Sequence, residues 1–231
     1  YLQDAWRCFK KNKLALGGLV FLSIMILLAI FVPMVSPYTY DAQDLDLRNA
    51  LPSASHLLGT DKLGRDILVR LMFGARISLA VGFVAAFLNL IIGVVYGGIS
   101  GYFGGAVDNV MMRIIEIING IPYLIVVILL MMILPPGLMT IVVAYATTGW
   151  TGMARLVRGQ VISLKEQEFV VAAKALGANA PRLILRHLLR NSLSVVIVNL
   201  TLSIPNAIFT EAFLSYICLL YTSDAADDLT R

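Results

Sequence analysis

Charge is scarce in this 231-residue chain: Asp, Glu, Lys and Arg make up 14%, against roughly 25% in an average soluble domain. With 59% hydrophobic residues, a soluble fold of this size could not hide its apolar surface. The few charges are gathered in short windows instead of being scattered over a surface. Cysteine and histidine are scarcer still. Cys8, Cys218, His56 and His187 stand alone, without metal-ligand spacing. No zinc, haem or thiol-redox site is indicated, and no cofactor is expected. No G-x-x-x-x-G-K-[ST] run occurs, so the five glycines between Gly97 and Gly105 are not a phosphate loop. The formal net charge of +4 would suggest nucleic acid in a soluble protein. Here the basic residues sit between apolar runs and read as topology signals, with no nucleic-acid partner expected.

What remains is a series of long charge-free windows, and about 20 apolar residues suffice to cross the hydrocarbon. Residues 14–35 read as span one; the run is too long for a signal-peptide core and has no A-x-A-type site behind it. Residues 36–76 are polar and mixed in sign, a long loop outside the membrane. Ile77 to Val107 is span two. Ile117 to Ala154 is too long for one span, and Pro135-Pro136-Gly137 divides it into spans three and four as a helical hairpin. Arg113 and Glu116 fall at its interface, forming a structural charge cluster with Asp108. Residues 155–190 form a hydrophilic insert. Asn191 to Thr210 is span five, with a kink expected at Pro205 and Glu211 as an interfacial carboxylate at its far end. The expected fold is an all-α integral membrane protein of about five spans. Lys and Arg number twelve on the side of residues 1–13 and the insert, and five in the 36–76 loop. The positive-inside rule therefore places the N-terminus and the insert in the cytoplasm.

Two patterns stand out. Gly93, Gly97, Gly101 and Gly105 recur every four residues, which lines them along one helical stripe where a neighbouring helix can approach closely. For Gly105 a turn at the span end fits better. In the insert, Glu168 to Leu176 contains good helix formers and ends at Gly177, a residue suited to a left-handed cap. Asn179-Ala180-Pro181 restarts the chain, since Pro is preorganised for a first helical turn. Arg182, Arg186 and Arg190 follow at four-residue spacing, with Leu185, Leu188 and Leu189 turned away from them. The insert reads as a helix-turn-helix stub with one basic and one apolar face. From pattern alone, a solvated linker that only fixes topology is equally expected.

Val171-Ala172-Ala173-Lys174-Ala175-Leu176-Gly177 resembles the E-A-A-x-x-x-G loop of ABC-importer permeases. Leu58-Gly59-Thr60-Asp61-Lys62-Leu63-Gly64-Arg65-Asp66 and Gly74-Ala75-Arg76-Ile77-Ser78-Leu79 resemble the C-type permease subunit of dipeptide and oligopeptide importers. Gly101-Tyr102-Phe103-Gly104-Gly105 and Met112-Arg113 do so too. The likeness runs from about Lys10 to Tyr216. Val171 replaces the loop's Glu, and Arg190 stands where the family usually has Pro.

The resemblance implies a type I ABC-importer helical bundle in a bacterial or archaeal cytoplasmic membrane. It implies four partners besides lipid: a homologous second permease, cytoplasmic ABC ATPases, an extracytoplasmic substrate-binding protein, and a peptide or related small solute such as nickel. The permease itself would not be an enzyme. Ala172, Ala173 and Gly177 would form the core of the coupling loop that docks on the ATPase, with Arg182 and Arg186 beside them. Asp61, Arg65 and Asp66 would shape the surface meeting the binding protein, a loop-folding role being equally expected. Beyond Tyr216 the likeness stops, so a sixth span is expected to be missing and residues 219–231 read as a non-native tail. The alternative is an ion-gradient-driven secondary transporter, which should carry ionisable residues at its span centres; none is found there. An intramembrane enzyme would need His, Ser or Asp constellations within spans, and neither His lies in one.

Overall fold

The computed structural model describes residues 7, 9–134 and 138–228, with side chains described at 7, 9–130, 132–134 and 139–216. The expected break at Pro135-Pro136-Gly137, Cys8 and most of the 219–231 tail call lie outside the described residues or side chains. Two units divide the chain, one up to Leu79 and one from Ala80 onward.

The first unit holds α1 (Lys13–Val35), a compact polar segment and the opening turns of α2. Asn12 caps α1 by accepting from the amides of Leu14 and Ala15. Pro33 lies in the last turn and leaves the Ala29 carbonyl without its i+4 donor, a loss confined to the end of the helix. In the polar segment Asp44 caps a short 3-10 turn, Leu45–Leu47. Thr60 and Asp66 form an isolated antiparallel bridge. Gly59 and Gly64 take left-handed backbone, φ 75° and 73°. A side chain on either would strike the main chain of Ala50 or Asp44.

The second unit contains most of α2 (Ile67–Phe103), then α3 (Gly105–Gly120), α4 (Tyr123–Ile133), α5 (Leu138–Thr148), α6 (Trp150–Leu164), α7 (Glu168–Ala175), a one-turn α8 (Ala180–Arg182), a π segment (Leu183–Leu188) and α9 (Leu189–Asp228). Among the described residues there is no strand. Among the described residues three helices are long and apolar enough to cross a membrane: Lys13–Val35, Ile67–Phe103 and Ala180–Tyr216. A fourth crossing is made by α3 with Tyr123–Leu130 if that pair, bent by 77°, counts as one broken span. Its Arg113 and Glu116 pair at 2.7 Å on the exposed face of α3.

Of the expected hairpin, the second arm falls across α5 and the start of α6. Gly149 keeps helical dihedrals between them (φ −64°, ψ −27°), and its amide bonds the Tyr145 carbonyl at 2.8 Å. The ladder thus passes through the joint, and the charge-free stretch 138–154 has spanning length. Span two starts earlier than its charge-free window, at Ile67, which places Arg70 and Arg76 on the helix. Pro205 lies inside α9, which remains one helix.

Three apolar clusters hold this unit. Met153, Val157 and Val161 of α6 pack with Val170, Leu183, Leu188 and Val196. Val127, Ile141, Ala144 and Leu214 form a second cluster, and Ile115, Trp150 and Ala154 a third.

Candidate functional site

The site is built on α6. Along α2, Gly93, Gly97 and Gly101 face this helix. A Cβ at Gly93 would lie 2.6 Å from Met153 Cβ, and at Gly101 2.8 Å from the Arg158 carbonyl oxygen. At Gly97 it would overlap the Ala154 carbonyl oxygen and lie 3.0 Å from the Arg158 amide. The two backbones touch because nothing projects between them. Gly105 stands apart from the stripe: with φ 54° and open space around it, it serves the turn between α2 and α3.

A charge pair locks the same contact. Arg158 of α6 donates from Nε and Nη2 to the two carboxylate oxygens of Asp108 on α3, both at 2.5 Å. Ser100 of α2 donates to the same carboxylate at 2.5 Å. Asp108 is 8% exposed, so three helices meet on one satisfied buried carboxylate. Lys165 adds a bond to the Gly101 carbonyl at 3.4 Å. Sequence reasoning grouped Asp108 with Arg113 and Glu116; the structure pairs it with a residue 50 positions away.

From this base the stub projects. Glu168 opens α7 near its N-terminal dipole, and Lys174 stands in the last turn, each at its favourable end. The helix closes with a Schellman motif: the Gly177 amide bonds the Lys174 carbonyl at 3.0 Å, and the Ala178 amide the Ala173 carbonyl at 3.1 Å. Gly177 has φ 84° and no neighbour within 4 Å of a would-be Cβ. Its need is conformational, not steric. Asn179 then caps α8, accepting from the Arg182 amide at 3.2 Å, with Pro181 in the first turn.

The predicted loop residues divide between two faces. Val170 is buried and Ala173 packs against the α6 cluster, whereas Ala172 and Gly177 are exposed. Phe169 and Leu176, which the motif reading passed over, share the outer face with Ala172 at helical spacing; Leu176 is 89% exposed. Arg182 and Arg186 are exposed beside them.

The apolar face after the turn differs from expectation. Leu183 and Leu188 are buried, whereas Leu185 is 66% exposed. The reason is the π turn: the Leu189 amide reaches back five residues to the Ile184 carbonyl. Residues five apart therefore share a face, and four-residue spacing no longer marks one.

The polar segment of the first unit folds around its own acids. Asp61 accepts from the amides of Leu63 (2.8 Å) and Arg65 (3.0 Å), from Arg65 Nε (2.9 Å) and from Arg70. Burial pushes its carboxyl up, but the backbone bonds of Arg65 and Leu63 outweigh it and hold the pKa at about 2. Asp66, for which a binding-protein surface and a loop-folding role were equally expected, is 5% exposed. It bonds His56 Nδ1 at 2.8 Å and caps α2 through the Val69 amide at 2.9 Å. Glu211 is 7% exposed within the chain and accepts from Ser215 at 3.2 Å.

The described residues thus form a multi-span helical membrane protein with a broken crossing and a capped helical turn after α7. Residues 90–223 match the family described as the binding-protein-dependent transport system inner membrane component. Residues 1–52 match the N-terminal transmembrane domain of oligopeptide transport permease C. The dipeptide transport system permease protein DppC of Bacillus subtilis is 52% identical over 219 residues, covering 95% of this chain and 68% of that protein. The oligopeptide permease OppC of Bacillus subtilis is 51% identical (94% of this chain, 71% of that protein), and OppC of Escherichia coli K12 is 42% identical (94% and 72%). The chain belongs to the binding-protein-dependent inner membrane permease family, and is accordingly a multi-pass membrane permease component of an ABC transporter, not itself catalytic.

Proposed function

We propose that this chain carries peptides across the cytoplasmic membrane as one of two homologous permease subunits, with its N-terminus and the 155–190 stub in the cytoplasm. Separate ATPase subunits grip the stub, and an extracytoplasmic binding protein delivers the substrate near Asp61 and Arg65. The names of the similar permeases support the substrate class; the lysine and arginine asymmetry supports the orientation.

The observation that carries the coupling role is the outer face of α7. Phe169, Ala172 and Leu176 point away from the chain's own core, on a helix held from behind by Val170 and Ala173. Together Phe169 (41% exposed), Ala172 and Leu176 (89%) make a contiguous exposed apolar patch in water, which a groove on a partner would cover. Closure of the ATPase dimer would push this helix, and α6 would transmit the push through its glycine and Arg158 contacts to α2 and α3.

The test is Leu176→Asp in the complete transporter. Co-purification with the ATPase subunits should fall at least tenfold while the permease itself stays folded. Gly177→Ala, costing about 1–2 kcal/mol for its left-handed backbone, should weaken coupling more mildly by misaiming the helix. Wild-type ATP-dependent uptake and subunit assembly in Leu176→Asp would refute the docking role.

A further inference from the structure

Among the described residues, three buried side-chain polar atoms have no hydrogen-bond partner: both amide atoms of Asn89 and the hydroxyl of Tyr123. Such atoms are costly anywhere and more so within a membrane. Tyr123 lies at the break between α3 and α4, whereas Asn89 lies on α2 against the α5–α6 joint. Tyr123 is the first residue of α4, and Pro122 before it offers no side-chain cap. The Asn89 amide nitrogen approaches Gly149, where a Cβ would lie 2.6 Å from it and 2.8 Å from the Tyr145 carbonyl oxygen.

Beside the break lies a cleft of about 330 Å³, lined by Ile118, Asn119, Pro122, Tyr123, Tyr145, Thr148 and others. That volume lies at the lower end of the usual range for ligand sites, roughly 300–1,000 Å³. No lining residue is charged. Asn119 directs its carbonyl oxygen to the Thr151 hydroxyl at 3.0 Å, which leaves its amide nitrogen. At the break the Ile118 carbonyl accepts from the Ile121 amide at 3.4 Å, and the Pro122 carbonyl accepts from the Ile125 amide at 2.9 Å; the Tyr123 and Leu124 amides, at the very start of α4, have no place in the helical ladder.

We infer that this cleft is a hydrogen-bonding subsite for the main-chain amides of a translocated peptide, with the Tyr123 hydroxyl and the Asn119 amide as its contacts. This inference rests on the transport reading above. Neutral donors and acceptors complement the CO–NH group that every peptide carries, whatever its side chains. A charged lining would instead select among sequences. Broken helices whose free backbone ends face a solute are a recurrent way to build such a site in a membrane.

The experiment uses the complete transporter in proteoliposomes, with tri-alanine and its backbone N-methylated analogue as probes. In Tyr123→Phe, maximal tri-alanine uptake should fall about three- to tenfold, as for one lost hydrogen bond. Thermal stability should hold or rise, since an unpartnered hydroxyl is removed. The N-methylated probe should be carried more slowly by the wild type, with less further loss in Tyr123→Phe. Wild-type uptake in the variant, or a lowered melting temperature accounting for its loss, would overturn the subsite and leave the transport reading intact. Absence of ATP-dependent peptide uptake in the unmodified transporter would overturn the transport reading itself.

Discussion

Helices α6 and α9 lie against each other, yet their sequences suggest opposite fates. The α9 helix is long and apolar, and few of its described residues are buried: Ser192, Val196, Ala207, Glu211 and Leu214, one narrow stripe. The shorter α6 carries Arg155, Arg158 and Gln160, yet buries Trp150, Thr151, Met153, Ala154, Val157 and Val161. In water the greasier helix would sit inside. In lipid, greasiness only says that a helix is dissolved, because hydrocarbon outside is as welcoming as protein inside. Burial is decided by close backbone approach and by polar groups that must be satisfied. The α6 helix has both, through Gly97 and through Arg158.

Removing the polar anchor gives the largest effect. Arg158→Met leaves Asp108 buried and unpaired. It should lower stability by about 3 kcal/mol, the lower end for breaking a buried pair, because Arg158 is one-third exposed. The double variant Asp108→Asn/Arg158→Met should recover part of this in thermal denaturation of the purified protein. Closer to the steric side, Gly97→Ala places a methyl group against the Ala154 carbonyl oxygen and should cost about 1–3 kcal/mol. By comparison Leu202→Ala on α9, a residue 62% exposed, should move stability by less than about 0.5 kcal/mol. Were the leucine change the costlier, apolarity and not close approach would govern packing here.

The smallest effect lies in the polar segment of the first unit, where water restores the ordinary rules. Asp61 has its pKa depressed from 3.8 to about 2. Its ionised form favours the folded loop, so its contribution is complete above pH 3.8 and is lost as pH falls through about 2. Hydrogen exchange at the Leu63 and Arg65 amides should accelerate over that window, and Asp61→Asn should abolish the pH dependence.

Much of this was legible in the residues. The α7 helix ends where Gly177 and Asn179-Ala180-Pro181 say it must, since cap chemistry is local. The Gly93–Gly101 stripe could be read because its period is that of one helix. The Asp108–Arg158 pair could not, being a meeting of residues 50 apart in sequence. Nor could the break at Ile121-Pro122 be told from an ordinary helix end. The leucines after Pro181 suit α and π spacing equally well, and only the burial of Leu183 together with Leu188 distinguishes them. For Asp66 the residues left a surface role and a loop-folding role equally open, because its partners, His56 and the Val69 amide, are fixed only by the fold.

The π segment gives the chain a spare residue. Winding six residues where five would close an ordinary turn lets Leu183–Leu188 absorb a deletion: with one fewer residue it would rewind as α-helix, and Ser192 and Val196 would keep their aim. The same loss within α6 would swing every later side chain by about 100° around the axis. Length is therefore negotiable at the root of the final helix and fixed in the rod beside it.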